Sequence, residues 1–127
     1  MSVRHRRNPH WNALRDLLVP DFEFLDHRVL GLGALDRDRW IASLRAQVDM
    51  SSEVAAEALR VMAWNRHGLV IAVRVFGEVQ DGGPFENFLV ALCLNAGDHA
   101  RRFEVFGIDD ADRAISRFEE LCASVVL

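Results

Sequence analysis

The sequence predicts an α+β domain, an antiparallel sheet with its helices gathered on one side. Two observations carry this reading. The segments Leu69–Gln80, Phe85–Leu94 and Arg101–Ile108 are β-patterned and joined by Asp81-Gly82-Gly83-Pro84 and Asn95-Ala96-Gly97-Asp98, and strands joined by hairpins are antiparallel. Two other segments carry apolar stripes at helical spacing: Trp40, Ile41, Leu44 and Val48, then Ala114, Ile115, Phe118, Leu121, Cys122 and Val125.

The elements follow in order. Asn8 can cap a first helix with Pro9 at its first position. Trp11, Leu14, Leu17 and Leu18 form its stripe and Pro20 closes it. In the next strand Phe22, Phe24 and Asp26 share one face, and Glu23, Leu25 and His27 the other. Gly31 and Gly33 mark a turn. Asp36 is positioned to cap a helix over Arg37–Met50. Glu53–Asn65 reads as a strand, although its alanines suit a helix equally. Asn65-Arg66-His67-Gly68 turns into Leu69–Gln80, whose two faces are both largely apolar. Asp109 or Asp110 caps the last helix.

Composition bounds the function. Half of the 127 residues are hydrophobic, enough for one real core, and no linker or repeat divides the chain. Residues 1–7 read as a basic, solvated extension (Arg4, His5, Arg6, Arg7) and 8–127 as a single domain. The net charge of −4, from 15 basic and 19 acidic residues, argues against a nucleic-acid partner. Apolar runs such as Phe88–Leu94 are strand length, far below the ~20 residues of a membrane span. No apolar stretch follows the basic start, so no signal peptide is expected. Cys93 and Cys122, far apart and among apolar residues, read as free thiols in a reducing cytoplasm. The five histidines show no ligand spacing on a common element, so no metal is expected; no cofactor is expected either.

The order of short helix, Asp21-Phe22-x-Phe24-x-Asp26 strand, glycine loop, helix and long sheet resembles the SnoaL-like branch of the nuclear transport factor 2-like superfamily. The segment Asp26–Trp40 and the segment Arg101–Leu121 are similar to a bacterial subgroup of that branch, found alone or joined to regulatory proteins. The resemblance spans about residues 8 to 122. It implies a cone-shaped α+β roll of the cystatin-like kind, a curved sheet wrapped around helices. Members include ketosteroid isomerases, polyketide cyclases and epoxide hydrolases, and the fold alone selects none of these chemistries. The resemblance implies a homodimer joined through open sheet faces. It also implies a carboxylate base at Asp26. The isomerase oxyanion pair is missing: the chain has no tyrosine, and Val90 stands where the second acid would be. Members usually begin with a long helix, so here either the last helix acts as a lid or the cone is more open.

The candidate site residues follow from strand parity. Asp26, among Phe22, Phe24 and Trp40, would be desolvated and its pKa raised, which suits an acid/base role. Arg28 returns to the Asp26 face and could hold an anionic oxygen. The alternative is that Asp26, His27 and Arg28 only fasten the strand end. Arg74, mid-strand in an apolar run, needs a partner, with Glu86 and Glu104 as candidates. It belongs to a catalytic set, an anion clamp or a structural ion pair. Trp64, Phe76 and Phe88 complete the candidate ligand wall with Phe22, Phe24, Arg28, Trp40, Arg74 and Glu86. The expected function is to hold a small hydrophobic molecule or to serve as a sensory or assembly module. The alternative is a cyclase, isomerase or hydrolase using Asp26.

Overall fold

The computed structural model describes residues 2–5, 11–29 and 31–125, with side chains placed over 11–29 and 31–124. The element order is β1 (Ser2–His5), α1 (Trp11–Asp16), β2 (Leu18–Asp26), β3 (Ala34–Asp36), α2 (Arg37–Asp49), β4 (Ser51–Asn65), β5 (Gly68–Val79), β6 (Pro84–Ala96), β7 (His99–Gly107), a single 3-10 turn (Ile108–Asp110) and α3 (Ala111–Val125). One curved, unclosed sheet runs in the order β1-β4-β5-β6-β7-β2-β3. The fold is the α+β class that the sequence predicts.

Several expectations need correction. The extension does not float, because Ser2–His5 pairs antiparallel with Val54–Glu57 of β4 and so takes up part of an otherwise open edge. The cap at Asn8 and Pro9 lies outside the described residues. Pro20 does not close α1. The helix ends at Asp16, and Leu18 and Pro20 already belong to β2. The register of β2 on β7 shifts between Leu18 and Glu23, and an interrupted ladder is where a strand tolerates a residue without an N–H. That ladder is parallel, so the sheet is not wholly antiparallel. No hairpin joins β2 to β7, and nothing imposes the antiparallel sense.

The helices also do not share one side. Trp40 and Ile41 of α2 pack with Phe22, Phe24 and Val105. Ala114, Phe118 and Cys122 of α3 pack with Val70, Val90, Leu92, Leu94 and Phe106. Val105 and Phe106 are neighbours on β7 and point to opposite faces, so α2 and α3 lie on opposite sides of the sheet. The physical reason is the strand pattern: β5 and β6 are apolar on both faces, and both faces demand cover. α3 therefore does not act as a lid over the α2 side.

α2 begins where the sequence places it. Asp36 accepts a hydrogen bond from the Arg39 N–H at 2.9 Å, and Met50 forms the C-cap. α2 packs against β2, β3 and β4. The sheet order puts β5, β6 and β7 between β4 and β2. α2 thus spans the two ends of the curved sheet, on its concave side.

Candidate functional site

The ladder registers lay out the concave face in rows. Asp26, Val105, Ala91, Ile71 and Val61 oppose one another across five strands. On one side lies the row Phe24, Phe103, Cys93, Leu69 and Trp64; on the other lie Gly107, Leu89, Val73 and Ala58. Asp26 is the sole ionic side chain in these three rows. At the β2 end the interior is filled by aromatic rings. Trp40 lies 5.1 Å from Phe22, 5.8 Å from Phe24 and 5.5 Å from Phe103, between centroids. Cys93 is half-buried, and burial among apolar side chains pushes its thiol up to about 12. Neither cysteine is in a disulfide.

Asp26 is 6% exposed and fully bonded. Its Oδ1 accepts from the Arg28 N–H and the Arg28 Nε, each at 3.0 Å. Its Oδ2 accepts from Arg28 Nη2 at 2.8 Å and from the Leu32 N–H at 3.1 Å. Gly31 is part of the same device, because a Cβ there would overlap the Asp26 carboxylate. Burial alone would raise the Asp26 pKa. The hydrogen bonds from Arg28 and Leu32 and the Arg28 charge outweigh it and hold the carboxyl below its usual range. This overturns the raised pKa expected for Asp26 as an acid/base. A carboxylate that is ionised and saturated at neutral pH is a poor proton acceptor.

His27 points to the other face, as strand parity requires. There its Nε2 is 2.6 Å from Glu104 Oε1, and its ring stacks on Phe106 at 4.2 Å. Glu104 is 0% exposed. It also receives Arg102 Nε on Oε2 and Arg117 from α3, whose Nε and Nη2 donate at 3.2 and 3.3 Å. Arg102 reaches on to Glu23 through Nη1 at 2.7 Å. Burial pushes the Glu104 carboxyl up, but Arg102, Arg117 and His27 together pull it below its usual range. This node was missed at the level of sequence. Its signal was present in Arg102-Phe103-Glu104-Val105-Phe106, where an arginine and a glutamate share the apolar face of Phe106 and require partners.

The nine candidate wall residues do not form one wall. Phe22, Phe24 and Trp40 lie on the α2 side and fill its β2 end. Arg28 is clamped to Asp26. Trp64 is on the same side but 75% exposed at the end of β4. Arg74, Phe76, Glu86 and Phe88 oppose one another across β5 and β6 on the α3 side. Arg74 Nε donates to Glu86 Oε2 at 2.5 Å, and its guanidinium lies 3.9 Å from the Phe76 ring centroid. Glu104 is not its partner, being taken by the other cations, so no two-acid catalytic set forms around Arg74. Among the described residues no group of His, Cys, Asp and Glu is arranged to hold a metal ion. No helix among them is long and apolar enough to cross a membrane.

No protein-family model matches the chain, and no curated protein matches it. Solved structures do. An NTF2-like protein from Anabaena variabilis superposes with a TM-score of 0.65 at 19% identity, over 76% of this chain and 73% of its own. A protein assigned as a SnoaL-like polyketide cyclase from Jannaschia sp. gives 0.61 at 15% identity, over 76% and 70%. A ketosteroid isomerase-like fold from Catenulispora acidiphila, in complex with trimethylamine, gives 0.62 at 18% identity, over 80% and 78%. A curved sheet bridged by a chord helix, with an apolar concave face, defines a cone-type α+β fold. The chain has the nuclear transport factor 2-like fold.

Proposed function

We propose that this domain holds a small apolar ligand beneath α2 and performs no acid–base chemistry there. The observation that carries the reading is the concave face itself. Three rows of side chains are apolar except for Asp26, and Asp26 is consumed by Arg28 and Leu32. Apolar walls with few convergent polar groups are the usual make-up of a small-molecule site. The neighbour that carries trimethylamine supports the use of this fold for small organic molecules. The two unpaired cysteines support a reducing, cytoplasmic setting.

The test is gentle purification followed by native mass spectrometry, with fluorescence titration of an apolar probe that quenches Trp40. A bound mass or saturable quenching is the expected result. Absence of both, with the protein folded, would overturn the reading and leave an assembly module.

A second copy is proposed on the opposite face. Phe88 is 44% exposed there, beside the Arg74–Glu86 pair. An aromatic side chain next to a charged pair on an open sheet face suits a symmetric interface.

A further inference from the structure

We infer that the ligand is an apolar carboxylate, whose anionic head pairs with Arg28 at the rim of the cone while its apolar part lies beneath α2. The inference rests on the binding reading above and names the chemical class of the ligand.

Arg28 is the cation that the loop after β2 brings to the concave face. Its Nε and Nη2 are spent on Asp26, while Nη1 has no partner among the described residues. Its side chain is 38% exposed, so the guanidinium sits between interior and solvent. A guanidinium has five donors in a planar fork and can serve two carboxylates at once. The same chain does this elsewhere: Arg102 gives Nε to Glu104 and Nη1 to Glu23. Arg28 has the first half of that arrangement and an open second half.

The flanking residues fit an amphiphile. Val29 is fully exposed and Leu32 about half exposed, on a loop held in place by the Asp26 bonds. Both are apolar side chains next to a charged head-group site. A cationic ligand is disfavoured, because it would have to displace Arg28 from Asp26. Arg28 is tethered two residues away and competes at high effective concentration. Asp26 meanwhile opposes an incoming anion, which sets the sign of a test.

The experiment titrates the full chain with decanoate, decanol and decylammonium by calorimetry, below their micelle concentrations. Decanoate is expected to bind at least tenfold tighter than decanol. Arg28→Gln should reduce decanoate to the decanol level without changing decanol, and Arg28→Lys should keep part of the preference. Asp26→Asn should tighten decanoate alone. Thermal melts of each variant establish that it is folded, and the wild-type comparison stands even where a variant is not. Equal binding of decanoate and decanol overturns this inference and leaves the binding reading intact. Preference for decylammonium overturns it in favour of a cation site. Failure of all three to bind overturns the binding reading, and this inference with it.

Discussion

Asp26 and Glu104 are two buried carboxylates on opposite faces, each saturated by cations. Both have folded pKa values below their ordinary ones, about 3.9 and 4.3. The unfolded chain therefore binds protons more readily than the folded one below about pH 4.5. Their stabilising contribution is full above that pH and is lost as pH falls through the folded pKa values. Chemical denaturation between pH 6 and pH 2.5 should show stability falling steeply on the acid side. NMR titration of Asp26 should give a value below 3.9, and a value above it would restore the acid/base role. Removing one member of a buried ion cluster strands the others. Glu104→Gln leaves Arg102 and Arg117 without their carboxylate and should cost about 3 kcal/mol, at the lower end of the range because both arginines retain some exposure. Gly31→Ala should cost about 1–3 kcal/mol, since its Cβ must displace the Asp26 carboxylate. Urea titration measures both.

At the scale of elements, α3 is held by an apolar stripe and one polar anchor. Ala114, Phe118 and Cys122 are buried against β5, β6 and β7, and Arg117 reaches Glu104. Phe118→Ala should cost about 3–5 kcal/mol by cavity formation, a large part of a typical 5–15 kcal/mol stability. Deleting the chain after Asp109 uncovers Val70, Val90, Leu92 and Leu94 and should lower the melting temperature sharply. An unchanged melting temperature would make α3 an appendage. α2 has a different role: it spans the ends of the curved sheet, touching β2, β3 and β4, rather than lying on its middle.

At the scale of the molecule, the sheet has apolar residues on both sides and two different covers. α3 covers part of β5, β6 and β7 on one face, and Phe88 on that face remains exposed. If a second copy covers that region, light scattering at micromolar concentration should give a dimer. Phe88→Glu should then give a folded monomer, since a buried unpaired charge is costly at an interface. A wild-type monomer under these conditions would remove the interface. The proposed dimer interface and the proposed ligand site lie on opposite faces, so Phe88→Glu should leave the affinity of the α2 side unchanged.

Much of this was legible in the residues. Period-two and helical patterns, the Asp36 cap and the glycine turns locate most elements, because these signals act over a few neighbouring positions. Strand parity alone separates Asp26 from His27. What tertiary structure decided is where distant segments meet. The parallel seat of β2 on β7, the placement of α3 on the face away from α2, and the pairing of Ser2–His5 with β4 depend on which apolar faces remain uncovered once the sheet has formed. The same holds for the two carboxylates. A sequence shows that a buried Asp or Glu needs partners, but the Asp26 pKa runs downward only because the chain turns at Gly31 and delivers Arg28 and the Leu32 N–H to it. Burial and pairing oppose each other in sign, and only the folded geometry determines which prevails.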